Sequence, residues 1–318
     1  MEDIKEKTQR FLNKSPYRIL SLDGGGSKGV YTLGVLTEFE ALIKVPLAQH
    51  FDLIYGTSTG AIIAALLGLG LSISSVEEKY FSIIPQVMKK RTSWSRSREL
   101  RKHAEEIFGA KKFQEFQTEI GIVASNYERE RPLVFKTDRS QAFGGSASFE
   151  PGFGCKISDA ILASTAAFPF FRRTRIDTAN AGSPEVMDGG FVANNPTLFA
   201  IADAVGILSI SRADIRILSI GVGHYMEPQR SLYSRMLFSF FPFKMMNKEF
   251  ALNTNTIERL RLLFFSDVDC VRIDESYPDS QYATDLLESD VVKLRKLFIL
   301  GRESFRNREE DVEKLLRG

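Results

Sequence analysis

The chain has 318 residues, of which 43% are hydrophobic and 26% charged, and its formal net charge at pH 7 is +2. This composition predicts a hydrophobic core and argues against a nucleic-acid-binding surface that extends over the whole protein. Two cysteines, Cys155 and Cys270, are too few for a disulfide framework or a cysteine metal cluster, which favours a reducing compartment. Residues 1–14 lack the apolar core of a signal peptide, and the longest apolar run, about 61–73, is shorter than the ~20 residues that span a membrane.

Apolar runs and glycine turns alternate in the first part of the chain. A strand over 17–22 is followed by three glycines and a helical pattern, and a strand over 51–55 by a glycine turn and a helix over 61–70. Two such units favour a mainly parallel sheet covered by helices. Later predictions, in chain order, are a charged helical segment over 77–116, strands over 119–125 and 132–137, a helix over 158–167, a strand over 185–187, a helix over 195–205 and a strand over 214–221.

The C-terminal part has a different pattern. Residues 237–250 are rich in Phe and Met and are predicted to be irregular, because Pro242 interrupts any long helix. Residues 285–316 predict one or two charged amphipathic helices. We therefore expect a single domain over 1–318, with its core over about 17–225 and a Phe/Met-rich segment and helices over 226–318.

A Gly-X-Ser-X-Gly sequence from Gly56 to Gly60 lies between the second predicted strand and its helix. A sharp strand-to-helix turn exposes the serine hydroxyl at the end of a sheet, and flanking glycines leave room for it. The pattern predicts Ser58 as a nucleophile supported by both glycines. The simpler alternative is a glycine turn whose Ser or Thr caps a helix.

Three consecutive glycines, Gly24, Gly25 and Gly26, precede the first predicted helix. Their backbone N–H groups are free to face an anion. A phosphate-binding loop of the Walker type would end in Gly-Lys-Ser/Thr, and this loop does not. The loop therefore favours an oxyanion hole, with Lys28 placed to hold the loop or to add positive charge.

A serine nucleophile needs a base that takes its proton. Asp188, followed by Gly189 and Gly190, comes after a short apolar stretch and is a candidate, although an Asp before glycine also forms plain turns. The order Ser58, Asp188, His224 matches the triad order of α/β-hydrolases, so a Ser-Asp-His carboxylesterase is a second hypothesis. A third is a non-catalytic sensor whose glycine loops bind a phosphate ligand.

These motifs, taken in order, resemble those of the patatin-like phospholipases: a glycine-rich loop ending in Lys28-Gly29, the Gly-X-Ser-X-Gly turn and a distal Asp-Gly-Gly. Residues 163–171, ASTAAFPFF, are similar to that family's Ala-Ser-X-Ala-X-Pro-X-Phe segment, with Phe168 as an additional spacer. The resemblance covers about residues 18–223. It implies a three-layer α/β/α fold and a serine hydrolase that cleaves fatty-acyl esters of membrane phospholipids.

The resemblance also implies the residue roles. Ser58 would attack the ester carbonyl and Asp188 would accept the serine proton directly. The oxyanion hole would consist of Gly24, Gly25, Gly26 and Thr59, with the N–H groups of Gly25, Gly26 and Thr59 holding the oxyanion. The resemblance implies neither a metal nor a cofactor.

The segment from Leu237 to Met246 carries large apolar side chains beside Lys244 and Lys248. This combination predicts peripheral membrane contact. An equally good interpretation is a cap over the acyl pocket, because Phe and Met fill irregular cores well.

Basic residues cluster from Lys89 to Arg98, with Arg101 and Lys102 beyond, and again at 172–175 as Arg172, Arg173 and Arg175. Such a cluster is a solvated face, a contact for anionic head groups or a site for a phosphate-bearing regulator, with Trp94 available to stack on a base. Bacterial patatin-like proteins of this size include antiphage effectors that cyclic oligonucleotides switch on. By analogy we expect such an activator rather than DNA or RNA, and a cytoplasmic enzyme that acts at the inner membrane.

Overall fold

A computed structural model describes residues 16–137, 151–179, 182–226 and 242–317. The strands are β1 (Tyr17–Leu22), β2 (Leu53–Thr57), β3 (Glu119–Asn126), β4 (Arg131–Lys136), β5 (Thr174–Arg175), β6 (Glu185–Asp188), β7 (Ile215–Ile220), β8 (His224–Tyr225), β9 (Asp269–Ile273) and β10 (Ser276–Tyr277). The helices are α1 (Gly29–Ile43), α2 (Leu47–His50), α3 (Thr59–Gly68), α4 (Ile73–Met88), α5 (Ser93–Phe108), α6 (Ile157–Ser164), α7 (Gly190–Ala193), α8 (Thr197–Ala202), α9 (Pro242–Phe264), α10 (Val291–Asn307) and α11 (Glu309–Arg317).

Eight strands form the central sheet, in the order β5-β6-β3-β2-β1-β7-β9, and β4 pairs with β3 beside that path. The five consecutive strands from β3 to β9 are parallel to one another. Strands β4, β5 and β6 are joined by antiparallel pairings at the β3 side of the sheet. The predicted α/β fold with a mainly parallel sheet is therefore confirmed.

Alternate residues of β1 enter two different hydrophobic clusters. Leu20 and Leu22 pack in the larger cluster, whereas Tyr17 and Ile19 pack in the smaller one. Because successive side chains of a strand point to opposite faces, the two clusters lie on opposite faces of the sheet. Helices α1, α3, α4, α5 and α10 contribute to the larger cluster, and α8 to the smaller one. The result is the predicted arrangement of helices on both faces.

The structure changes several predicted elements. The predicted helical segment over 77–116 consists of two helices, α4 and α5. The prediction of irregular structure over 237–250 is wrong from residue 242, where α9 begins, and residues 237–241 lie outside the described part of the chain. Pro242 opens this helix because the first helical position needs no N–H donor. Beyond residue 225, where only a Phe/Met-rich segment and helices were expected, β9 adds an edge strand to the sheet. Among the described helices, none combines the length and the apolarity that crossing a membrane demands.

Candidate active site

Ser58 occupies the single residue between β2 and α3. Its backbone adopts φ 52° and ψ −117°, a conformation with positive φ that residues other than glycine rarely adopt. A Cβ at Gly56 would overlap the carbonyl of Gly60, and one at Gly60 would overlap the carbonyl of Leu22. The two glycines therefore permit the tight turn that presents the Ser58 hydroxyl at the end of the sheet.

The structure places Ser58 directly beside Asp188. The Ser58 Oγ donates a hydrogen bond to Asp188 Oδ2 at 2.7 Å, and the N–H of Gly190 donates to Asp188 Oδ1 at 2.7 Å. Strand β3 fixes this juxtaposition, because β2 pairs with its residues 119–123 and β6 with its residues 124–126 along the same edge, while β4 pairs along the other edge. Asp188 lies opposite Ala124 on β3, one residue along from Val123, which lies opposite Thr57.

Burial changes the acidity of Asp188. Its carboxyl is fully buried, and removal from water raises its pKa from 3.8 to about 7. The hydrogen bonds from Gly190 and Ser58 favour the ionised form and offset part of this rise. Asp188 is therefore a much better proton acceptor near neutral pH than an ordinary aspartate.

Ser164, in the ASTAAFPFF segment, holds the turn from behind. The N–H of Ser58 donates to Ser164 Oγ at 2.8 Å, and that hydroxyl donates to the carbonyl of Val123 at 2.6 Å. The N–H of Asp188 donates to the carbonyl of Ala166 at 3.1 Å, so the same segment contacts both members of the pair. The motif had marked this segment, but the role of Ser164 was not predicted.

The glycine loop lies against the Ser58 turn. A Cβ at Gly24 would approach the Ser58 Cβ to 3.2 Å, and Gly26 has a φ of 57°. The N–H of Gly24 already donates to the carbonyl of Asn194 at 2.9 Å, so the expectation that Gly24 serves the oxyanion hole is wrong. Within residues 16–137, 151–179, 182–226 and 242–317, the N–H groups of Gly25, Gly26 and Thr59 have no hydrogen-bond acceptor.

A buried ion-pair network, which sequence reasoning missed, anchors the start of the glycine loop. Arg272, on β9, contacts both carboxylate oxygens of Asp23, at 2.8 and 2.5 Å, and Asp274 at 2.6 Å. Burial raises the pKa of Asp23 to about 6, although Arg272 favours its ionised form. Asp23 and Asp274 also act electrostatically on Lys28, whose pKa burial lowers, so the structure places Lys28 beside this network.

His224 belongs to the same network rather than to a triad. Its Nε2 lies 3.2 Å from Asp274 Oδ2, whereas the Ser58 hydroxyl bonds directly to Asp188. The triad hypothesis required His224 between Ser58 and an acid. The structure instead gives that histidine a different carboxylate and gives Ser58 an acid without an intervening imidazole.

An apolar cleft opens beside Ser58 and Thr59. Its walls include Ile84, Val87, Leu100, Phe170, Met246 and Phe250. Met246 and its neighbour Met245 belong to the predicted membrane-contact segment. Met246 is buried in the cleft wall and Met245 is 62% exposed, so the described end of that segment contributes one side chain to the cleft and one to the surface.

Together, the α/β sheet, the serine on a strained strand-to-helix turn and the buried carboxylate beside it match the arrangement found in hydrolases of the α/β class. The sequence profile described as Patatin-like phospholipase matches residues 20–201, and the chain belongs to this family. It is 44% identical over 304 residues to a cUMP-AMP-activated phospholipase of Escherichia coli, covering 96% of this chain and 95% of that protein. The family and enzyme-class predictions are thus confirmed: the protein is a patatin-like phospholipase.

Two further relatives widen the comparison. A cGAMP-activated phospholipase of Escherichia coli strain TW11681 is 30% identical over 250 residues, covering 70% of this chain and 67% of that protein. The calcium-independent phospholipase A2-gamma of Oryctolagus cuniculus is 31% identical over 234 residues, covering 67% of this chain and 29% of that protein.

Proposed function

We propose that the protein hydrolyses fatty-acyl esters of membrane phospholipids through a Ser58–Asp188 dyad. The 2.7 Å hydrogen bond between Ser58 Oγ and Asp188 Oδ2 carries this proposal. Asp188 accepts the serine proton as Ser58 Oγ attacks the ester carbonyl carbon. When the tetrahedral intermediate collapses, the proton passes to the departing lysophospholipid oxygen, and the acyl group stays on Ser58. A water molecule, deprotonated by Asp188, then attacks the acyl-enzyme, and the bond between the acyl carbon and Ser58 Oγ breaks as the proton passes from Asp188 to Ser58 Oγ, which releases the fatty acid.

The oxyanion hole in this proposal consists of the N–H groups of Gly25, Gly26 and Thr59. Thr59 is the first residue of α3, whose N-terminus carries a partial positive charge. Removing one such donor typically costs about 3 kcal/mol of transition-state stabilisation. The acyl chain would lie in the apolar cleft, because its walls join the nucleophile directly.

We further infer that a cyclic dinucleotide activates the enzyme, in antiphage defence at the cytoplasmic face of the inner membrane. The cUMP-AMP-activated relative supports this inference, because its match runs almost from end to end of both chains. A cGAMP-activated relative matches over a shorter part.

The test is the release of fatty acid from phosphatidylglycerol and phosphatidylethanolamine vesicles in the presence of EDTA, with and without cUMP-AMP or cGAMP. We expect release by the wild type and by His224→Ala, none by Ser58→Ala, and release about 10³-fold slower by Asp188→Asn. Equal loss in His224→Ala would contradict the dyad and favour the triad. Equal activity with and without every cyclic dinucleotide would contradict the proposed activation.

A further inference from the structure

Three segments that line the acyl cleft lead directly into basic residues. Met88, Leu100 and Phe171 line the cleft. They are followed by Lys89, Arg101 and Arg172, and all three of these side chains are exposed. Consecutive Cα atoms are about 3.8 Å apart, so these cations stand at the edge of the cleft. We call the surface formed by Lys89, Arg91, Arg98, Arg101 and Arg172, with the aromatic residues Trp94 and Phe168, the basic rim.

Hydrogen bonds join the two halves of the basic rim. The N–H of Arg172 donates to Ser97 Oγ at 2.9 Å, and Arg101 Nη2 donates to Thr174 Oγ1 at 3.3 Å. Helix α5 therefore lies directly against the 172–174 segment. The two basic clusters, which are about 70 residues apart in the chain, form one continuous surface.

The charge of this surface is only partly neutralised. Between Lys89 and Lys102 there are seven basic residues and one acidic residue, Glu99, which pairs with Lys90 at 2.9 Å. Among the described residues, no carboxylate lies within 4.0 Å of the five cationic side chains of the basic rim. On a solvated helical face, opposite charges four residues apart can pair with each other. The five cations of the basic rim have no such partner among the described residues and are available to an anionic ligand.

Exposed aromatic rings lie among these cations. Trp94 is 54% exposed and Phe168 is 52% exposed. The guanidinium of Arg98 lies 5.4 Å from the Trp94 ring centroid, and that of Arg173 lies 5.5 Å from the Phe168 ring centroid. Arg173 pairs with Glu185 at 3.3 Å, whereas Arg98 has no such partner among the described residues. An exposed aromatic ring beside an unpaired cation, as Trp94 is beside Arg98, is typical of surfaces that bind the interface of a bilayer.

We propose that the basic rim docks on an anionic phospholipid bilayer and so brings the mouth of the acyl cleft to the lipid surface. This inference rests on the proposed phospholipase function. The rim extends over three segments, and a bilayer offers many phosphates over such an area. Each cation near an anionic membrane contributes about fivefold to binding, so reversing three of them should weaken binding by at least about 100-fold.

The chain has a single tryptophan, so its intrinsic tryptophan fluorescence reports on Trp94 alone. Binding is measured with Ser58→Ala, which leaves the vesicles intact. With vesicles of phosphatidylglycerol and phosphatidylcholine we expect a blue shift of the Trp94 emission and quenching by brominated acyl chains. With pure phosphatidylcholine we expect neither. Sedimentation with phosphatidylglycerol vesicles but an unchanged Trp94 emission would overturn the proposal.

Affinity is then compared by vesicle sedimentation in the same Ser58→Ala background. Arg98→Glu/Arg101→Glu/Arg172→Glu should lose at least about 100-fold in affinity for phosphatidylglycerol vesicles. The control Lys111→Glu/Arg259→Glu/Lys296→Glu makes the same change in net charge at exposed positions elsewhere and should lose less than about fivefold. Equal losses in the two triple variants would overturn the proposal, because only net charge would then matter.

A soluble short-chain ester separates docking from catalysis. With Ser58 intact and cUMP-AMP present, the rim variant should hydrolyse this ester like the wild type and release fatty acid from vesicles far more slowly. Equal loss on both substrates would overturn the docking role. Quenching of Trp94 by cUMP-AMP without vesicles, abolished in the rim variant, would assign the rim to the nucleotide instead. Failure of the dyad would appear separately, as hydrolysis by Ser58→Ala.

Discussion

Replacing Asp188 with asparagine should affect activity and stability in opposite directions. The side chain is fully buried, and its pKa is raised from 3.8 to about 7. Asparagine has nearly the same shape, so its carbonyl can accept the Gly190 N–H and its amide can donate to Ser58 Oγ. The substitution therefore removes the base and its charge but preserves the contacts. We expect kcat/KM to fall by about 10³-fold, within the usual range for loss of a general base.

The pH dependence of the wild type follows from the same pKa. Only the ionised carboxylate accepts the serine proton, so kcat/KM on a soluble ester should level off above pH 8 and fall about tenfold per pH unit below pH 6. An aspartate with an ordinary pKa of 3.8 would remain fully active at pH 6. A profile that stays flat down to pH 5 would refute the proposed role of burial.

The stability effect has a definite sign. The folded-state pKa of Asp188 lies above its unfolded value, so the folded protein binds the extra proton between about pH 4 and pH 7. The contribution of this group is therefore most favourable below pH 4 and is lost as pH rises to 7, by about 4 kcal/mol in total. About 2 kcal/mol of that loss falls between pH 5.5 and pH 7.

Asparagine does not titrate, so its contribution to stability does not depend on pH, and all other titrating groups are common to both proteins. The difference in unfolding free energy, variant minus wild type, should therefore grow by about 2 kcal/mol from pH 5.5 to pH 8. Urea unfolding at several pH values, followed by circular dichroism, measures this difference. A difference that stays constant across this range would refute the raised pKa, whatever the activity of the variant.

Three further substitutions test other parts of the site. Arg272→Met leaves Asp23 and Asp274 buried without their cation, and by loosening the glycine loop it should lower kcat on a soluble ester at least tenfold with little change in KM. Arg272→Lys should recover part of this loss, and a change in KM alone would contradict the positioning role of Arg272. Ser164→Ala leaves the buried Ser58 N–H without its acceptor and should lower the free energy of unfolding, measured in urea, by about 1–3 kcal/mol. An unchanged free energy of unfolding would contradict this prediction and would mean that a water replaces the hydroxyl. Val87→Phe should fill part of the acyl cleft and shift the preference toward shorter acyl chains, measured as the ratio of kcat/KM for butyrate and palmitate esters; an unchanged ratio would place the acyl chain elsewhere.

The sequence was most informative where local chemistry dictates local structure. Strands β1 and β2 are short apolar runs with glycines at or just beyond their carboxyl ends, and those glycines are needed where the chain turns sharply into α1 and α3. Strand β9 was missed because Asp269–Ile273 is short and contains an acidic and a basic residue. Its place in the sheet comes from pairing with β7, which no local pattern reveals.

The same limit applies to the site. Ser58 and Asp188 lie in motifs whose glycines permit close backbone packing, so both could be selected from the sequence. Ser164 and Arg272 act through hydrogen bonds to residues 106 and 249 positions away, and such partners follow only from the assembled sheet. The engaged N–H of Gly24 was equally hidden, because its acceptor is the carbonyl of Asn194.

The pairing of β2 and β6 along one edge of β3, which brings the two halves of the dyad together, has a consequence for how the enzyme is made. Ser58 and Asp188 are 130 residues apart and meet only after β2 and β6 have both paired with β3. Contacts of such long sequence separation form late, because closing a long loop costs entropy before any pairing offsets it. A nascent chain that ends before residue 188 therefore has the serine turn but no base. The chain acquires its capacity to hydrolyse phospholipids only after most of it has been synthesised and its sheet has assembled.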